Sequence, residues 1–177
     1  VWLMKSKLKS DSGYTLVEMI IVIAIIAIMS GAGALTISSI RASQATASMQ
    51  KFDSELSTLE MRTKTQKAGE AIRIVQNGAN YDIFYGTCTD GNPSTFTANS
   101  TTADKVLERV TIYYAENYDA DSETTPLTDQ VIVIRKSDGQ VLAGYGEYRF
   151  CKYNSGSNTV GRVSLNQYTG GHTYGKN

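Results

Sequence analysis

The feature that most constrains this chain is an apolar run near its N-terminus that contains a single carboxylate. The run extends from Tyr14 to Ala34, about 21 residues, and Glu18 is the one side chain in it that ionises near neutral pH. An apolar helix of this length is long enough to cross a bilayer. Because a charge inside such a run costs on the order of a few kcal/mol and usually marks function, Glu18 needs a partner.

The position of Glu18 relative to Tyr14 indicates where that partner comes from. If the chain is cut after Gly13, Tyr14 carries a free α-ammonium group. That positive charge opposes the dipole of a helix that begins there. Glu18 lies four residues on, one turn away on the same face, where it can neutralise its own amine or that of a neighbouring copy.

The sequence Gly13-Tyr14-Thr15-Leu16-Val17-Glu18 follows a short leader that carries Lys5, Lys7 and Lys9. This stretch resembles the class III signal of type IV prepilins and type II secretion pseudopilins, with Tyr14 in place of the more usual Phe. The resemblance covers about the first third of the chain. It implies that a membrane prepilin peptidase cuts after Gly13 and N-methylates Tyr14. It also implies that Glu18 pairs with the N-terminal amine of an adjacent subunit during assembly.

An ordinary secretory signal is the rival interpretation of the same stretch. Its cleavage would fall near residues 30–32, after the apolar run and at small residues. That cut would discard the run and release a soluble domain, adhesin or enzyme, but it leaves Glu18 unexplained. We therefore assign residues 1–13 to a leader that is removed on maturation, and residues 14–35 to a transmembrane and assembly segment.

Beyond Ala34 the chain becomes polar but keeps a helical period, which predicts an amphipathic helix over residues 36–69. Gly69 is the predicted end of this helix. Its apolar positions recur at intervals of three and four: Leu35, Ala42, Ala45, Met49, Phe52, Leu56 and Leu59. We expect the part from Met49 to Leu59 to pack against a sheet.

From Ala71 the apolar period changes towards two, which is typical of strands. The candidates are Tyr81–Tyr85, Val106–Tyr114, Gln130–Arg135, Gln140–Tyr145, Glu147–Tyr153 and Val160–Leu165, with a turn at Lys136-Ser137-Asp138-Gly139. The predicted fold class is therefore α+β: a long N-terminal helix packed against an antiparallel sheet in a head of residues 70–177. The Gly/Tyr-rich stretch from Tyr168 to Asn177 is predicted to be a mobile tail. The resemblance to pilins implies the same architecture.

The chain has two cysteines, Cys88 and Cys151, and neither belongs to a metal-binding spacing. If the head is exported, a disulfide between them is the expected state. The alternative is two unrelated buried thiols.

Little in the sequence favours catalysis, and we expect no cofactor. The one histidine, His172, lies in a glycine-rich stretch, where a fixed orienting partner is not expected. Asp119, Asp121 and Glu123 alternate in a loop and are weak candidates for Ca²⁺, but the glycine and final Glu of an EF-hand loop are missing. A solvated turn is the simpler interpretation. The formal net charge of zero gives no electrostatic reason to expect nucleic acid.

We therefore expect a structural subunit of a type IV pilus-like surface filament. Its partners would be prepilin peptidase, membrane lipid before assembly, the inner-membrane assembly machinery and further copies of the same helix. The precursor would lie in the cell membrane and the mature head at the cell surface. A pseudopilin of a type II secretion or DNA-uptake system is the nearest alternative.

Overall fold

The computed structural model describes residues 14–65, 69–155 and 158–176, with the side chains of all of these except residues 31–36. Helix α1 extends from Leu16 to Thr65. Both prolines of the chain, Pro93 and Pro126, lie beyond it, so no ring interrupts its hydrogen bonds. The predicted leader (residues 1–13) lies outside the described residues, as do residues 66–68. Gly69, the predicted end of the helix, is described and lies in a turn with a φ of 98°.

In the described part of the chain, sheet 1 contains six strands, and all its pairings are antiparallel. Its main order is β3-β2-β1-β6-β7, and β4 pairs with the same strand as β3, namely β2. The strand bounds are β1 Glu70–Asn77, β2 Asn80–Thr87, β3 Thr97–Ala98, β4 Lys105–Leu107, β6 Asp129–Ile134 and β7 Val141–Ala143.

Sheet 2, as far as the described residues show it, contains four antiparallel strands in the order β10-β9-β8-β5. The strand bounds are β5 Val110–Ala115, β8 Gly146–Lys152, β9 Thr159–Leu165 and β10 His172–Lys176.

The core lies between the C-terminal half of α1 and one face of each sheet. Phe52 is its aromatic centre, with ring centroids 5.0 Å from Tyr148 and 5.5 Å from Phe150 of β8. The helix contributes a stripe of fully buried side chains at intervals of four and three, as its amphipathic pattern predicts: Ala45, Met49, Phe52, Leu56 and Leu59. The sheets contribute alternate residues, including Ile72, Ile74, Ile83, Ile112, Ile132, Val163 and Leu165.

The chain divides into two compact units, residues up to Ser38 and residues from Ser39 onward. In the first unit every described side chain from Tyr14 to Ser30 is exposed. Within the described ranges, no helix has both the length and the hydropathy that a membrane crossing requires. The assignment of residues 14–35 to a membrane therefore stays a prediction.

The α+β prediction is confirmed, but the single predicted sheet is in fact two. The segment Val106–Tyr114, expected to be one strand, is divided between β4 in sheet 1 and β5 in sheet 2. The break falls at Arg109, whose φ of 47° is incompatible with an extended strand. Its backbone N–H donates to the Asn80 side chain at 3.0 Å, which holds the chain where it passes between the sheets.

The prediction of a mobile tail is wrong for half of its ten residues, which form a strand. Residues His172–Lys176 form β10, which pairs with β9 from Leu165↔His172 to Gly161↔Lys176. Strands β1 and β3 were also absent from the candidates. The predicted turn after β6 is confirmed: Gly139, at φ 76°, donates to the Arg135 carbonyl at 3.0 Å.

Candidate functional site

The N-terminus of α1 is closed by reciprocal hydrogen bonds between Thr15 and Glu18. The Glu18 backbone N–H donates to Thr15 Oγ1 at 3.2 Å, and Glu18 Oε2 accepts from the Thr15 backbone N–H at 2.9 Å and from its hydroxyl at 3.0 Å. The Met19 N–H donates to the Thr15 carbonyl at 3.2 Å, which makes Thr15 the N-cap residue. This arrangement is a capping box, which satisfies N–H groups that a helix start otherwise leaves unpaired.

The capping box gives Glu18 a local partner that the sequence analysis did not consider. The signal was present, because a Thr three residues before a Glu at the start of an apolar run is the sequence signature of a capping box. Both bonds use Oε2, so within the described residues Oε1 has no hydrogen-bond partner. Tyr14 precedes the helix and is 82% exposed. Gly13, the other half of the predicted cleavage site, lies outside the described residues.

The surface that follows the capping box is apolar on every side of the helix. The large apolar side chains from Leu16 to Met29 keep between 47% and 75% of their area exposed. Contiguous exposed apolar surface on a soluble domain marks an interaction surface. The geometry therefore places a fixed carboxylate at one end of an uncovered apolar helix.

The two cysteines are buried free thiols, so the predicted disulfide is not present. Cys88 follows β2 of sheet 1 and packs with Ala71 and Val133, whereas Cys151 lies in β8 of sheet 2 beside Thr159. Each thiol is thus held in the packing of a different sheet. Burial raises the pKa of both thiols, which keeps them protonated and unreactive in the folded state.

The candidate calcium residues belong to a loop that is organised by arginines. The Asp121 carboxylate contacts Arg162 at 2.7 Å and Arg149 at 3.7 Å. Arg149 is 7% exposed, stacks on the ring of Tyr113 at 4.3 Å and donates to the carbonyls of Ala120 and Glu123 at 2.9 Å. In the part of the chain that the structure describes, no three His, Cys, Asp or Glu side chains form a group that could hold a metal.

His172 has fixed neighbours, contrary to the expectation from its glycine-rich surroundings. Its Nε2 lies 3.2 Å from Ser57 Oγ and 3.4 Å from Asp53 Oδ1, so β10 is attached to α1. Serine and aspartate contact the same ring nitrogen, whereas a catalytic triad needs them on opposite nitrogens. The arrangement therefore positions a strand and does not build a nucleophile.

The profile described as "Prokaryotic N-terminal methylation motif" matches residues 8–34, about the first fifth of the chain. Comparison with curated proteins and with solved structures gives no significant match. The matched segment contains Gly13, Tyr14, the capping box and the exposed apolar run. The chain thus carries the class III N-terminal methylation signal at residues 8–34, and in this segment it matches prepilins of the type IV pilin and pseudopilin kind.

Proposed function

We propose that this chain is the structural subunit of a type IV pilus-like surface filament. The precursor is inserted in the cell membrane through residues 14–35, cut after Gly13, methylated at Tyr14 and polymerised through α1. The observation that carries this proposal is the coincidence of the methylation motif with the exposed apolar face of α1. At about 25 cal/mol per Å² of apolar area buried, covering such a face with neighbouring helices supplies strong cohesion.

Glu18 would set the register between neighbouring subunits. Oε2 is already occupied by Thr15, and Oε1 is left to receive the Tyr14 ammonium group that cleavage creates in the same or an adjacent copy. An ion pair among apolar helices is a costly device that specifies one geometry over others. The capping box supports this role because it fixes where the carboxylate lies.

Substitutions at the capping box separate the charge of Glu18 from its capping function. Glu18→Gln removes the charge but retains a side chain that can complete a capping box, whereas Thr15→Ala removes the cap and keeps the charge. If the charge sets the register, Glu18→Gln and Glu18→Ala both abolish filaments and Thr15→Ala reduces them less. Glu60→Ala, which removes an acid elsewhere on α1, is the matched control. Normal filament yield from Glu18→Gln would contradict the proposed role of the charge.

N-terminal sequencing of the processed protein tests the proposal as a whole. We expect the mature chain to begin at N-methyl-Tyr14, and Gly13→Val to accumulate as uncut precursor in the membrane fraction. All three capping-box variants should still be cut. A mature protein that begins beyond Met29 would contradict the filament proposal, because the assembly segment would be gone.

The methylation motif equally supports a pseudopilin of a type II secretion or DNA-uptake system. Such a subunit would form a short filament within the cell envelope. Mechanical shearing distinguishes the two, since a surface pilus releases this chain into the medium and a pseudopilin filament does not.

A further inference from the structure

The face of sheet 1 that points away from the core carries a groove with an aromatic floor. Ile72, Ile74 and Ile83 are fully buried on the core side, so the alternate residues of β1 and β2 lie on the other face. There Arg73 is directly opposite Phe84 on β2 and Val131 on β6. These side chains are partly exposed.

The segment between β2 and β3 folds over this face and places a second ring, Phe96, in the same depression as Phe84. Gly86 of β2 lies against both β3 and Phe96, because a Cβ atom there would lie 2.3 Å from the Thr97 carbonyl oxygen and 2.6 Å from the Phe96 ring. Gly86 has no positive φ, so its lack of a side chain serves the close approach of that backbone and ring and not a turn. The sequence thus makes room for an aromatic side chain that remains partly exposed.

Two depressions meet at Arg73 and Phe96, which line both. One has a volume of about 350 Å³ and the other about 450 Å³. Because the two depressions share these walls, we treat them as one groove, and their combined size is in the range of small-molecule sites. Its floor is Val75, Phe84 and Phe96, and its rim includes Ser94 and Asn99, which carry a hydroxyl and an amide.

The wall of the groove is fixed by its own hydrogen bonds. The Thr95 hydroxyl donates to the Asn92 carbonyl at 2.7 Å and accepts from the Thr89 N–H at 2.8 Å. The Asn92 side chain accepts from the Ser94 N–H at 3.0 Å, and the Asn99 N–H donates to the Tyr85 carbonyl at 2.8 Å. A wall that is already ordered loses little conformational entropy when a ligand binds.

The groove has no net charge. Arg73 and Asp129 form a two-pronged ion pair, at 2.9 Å between Nε and Oδ1 and 2.5 Å between Nη2 and Oδ2. The other lining residues of both depressions are apolar or carry neutral hydroxyl and amide groups. This balance disfavours phosphates, acidic peptides and cations, since each of these would lack an opposite charge. It favours a neutral ligand that has both an apolar face and hydroxyl groups.

We propose that this groove binds a neutral oligosaccharide. The C–H face of a sugar ring packs on Phe84 and Phe96, because aromatic rings supply large apolar contact area with a negative π face. The sugar hydroxyls, which both donate and accept, reach the Asn99 amide, the Ser94 hydroxyl and the exposed edges of the Arg73–Asp129 pair. The proposal concerns the head alone and does not depend on whether α1 forms filaments.

A printed array of neutral, sialylated and sulfated oligosaccharides, probed with the full chain in a sugar-free zwitterionic detergent, tests this proposal. We expect retention on neutral oligosaccharides, and a weakening of at least about tenfold in Phe84→Ala and Phe96→Ala when calorimetry is run with the best neutral oligosaccharide. Tyr168→Ala, which removes a ring that is 74% exposed outside the groove, is the matched control and should bind normally.

The Ala98→Glu variant tests the groove even if the phenylalanine variants lose binding because they fail to fold. Ala98 is exposed and lines the groove, so the longer charged side chain blocks the neutral site without removing a core contact. We expect this variant to unfold at the wild-type temperature and to lose binding. Absence of binding to every neutral oligosaccharide, binding to acidic ones alone, or unchanged binding by Ala98→Glu would each overturn the proposal.

Discussion

The two halves of α1 share one backbone conformation but have opposite surroundings. From Leu16 to Met29 the large apolar side chains are exposed, whereas Met49, Phe52 and Leu59 are fully buried. The first half is apolar on all sides, and the second confines its apolar residues to one stripe. A stripe can be covered by one layer of strands, but an apolar surface on every side needs partners on every side. The head is therefore stabilised by its own core. Under our proposal, the N-terminal half of α1 is stabilised by contacts with other molecules.

Truncation of one side chain in each half gives the largest test of this comparison. Phe52→Ala should lower the free energy of unfolding of the head by about 3–5 kcal/mol, because it leaves a cavity between Tyr148 and Phe150. Ile25→Ala, in the exposed half, should change it by less than about 0.5 kcal/mol. Guanidinium unfolding followed by the near-UV circular dichroism of the tyrosines measures both. If both substitutions lowered the free energy of unfolding equally, the N-terminal half of α1 would be packed as tightly as the C-terminal half, and the comparison would fail.

Two glutamates of α1 allow a second test. Glu55 is 6% exposed and accepts a short hydrogen bond from the hydroxyl of Tyr85, which is itself buried. Glu55→Ala should therefore cost about 1–3 kcal/mol in urea unfolding of the head, since it removes the partner of a buried group. Glu18→Ala should leave that free energy unchanged, because its hydrogen bonds are confined to the exposed start of the helix. A stability loss in Glu18→Ala as large as that in Glu55→Ala would break the comparison.

The exposed ion pair of Arg73 and Asp129 should contribute less to the free energy of unfolding than the packing of Phe52 or the hydrogen bond of Glu55. Asp129→Asn should cost less than about 1 kcal/mol at pH 7, since both side chains are more than 40% exposed. The hydrogen bond from Arg73 lowers the pKa of Asp129 below its ordinary value of 3.8. The contribution is therefore fully present above about pH 4 and is lost as the pH falls through the lowered pKa. Thermal unfolding at pH 7 and pH 2.5 should show the difference between variant and wild type shrinking in acid.

The smallest expected effect is that of a reductant. Because Cys88 and Cys151 are separate buried thiols, reduced and unreduced protein should unfold at the same temperature. A thiol reagent should modify neither cysteine in the folded head and both after denaturation without reductant. Fewer than two thiols in the denatured, unreduced protein would show that a covalent link shares the stabilisation that we assign to apolar packing.

Local sequence patterns predicted the structure correctly where the feature depends only on residues within one helix or turn. The stripe from Ala45 to Leu59 and the turn at Gly139 were both predictable, because a 3.6-residue period and a positive φ are properties of a few consecutive residues. The Thr15–Glu18 capping box is equally local, because the Thr and the Glu lie three residues apart in the sequence.

Pairings between distant segments could not be predicted in the same way. The composition of the glycine-rich stretch before Lys176 is typical of a mobile tail. It forms a strand because it pairs with β9, which the local sequence does not indicate. The presence of two cysteines predicted a disulfide, but Cys88 follows a strand of sheet 1 and Cys151 lies in a strand of sheet 2. Phe96 and Arg73 had no common role in the sequence, because the groove exists only where a loop lies over a sheet.

The sequence by itself determined the processing signal at residues 8–34, the capped apolar start of α1 and the amphipathic half that follows. These features depend on residues a few positions apart, so the chain encodes them without reference to its fold. The tertiary structure alone decided that the strands form two sheets, that each thiol is buried apart from the other, and that Phe84 and Phe96 face one groove. Each of those outcomes depends on contacts between residues far apart in the chain, and such contacts are settled only when the whole core packs.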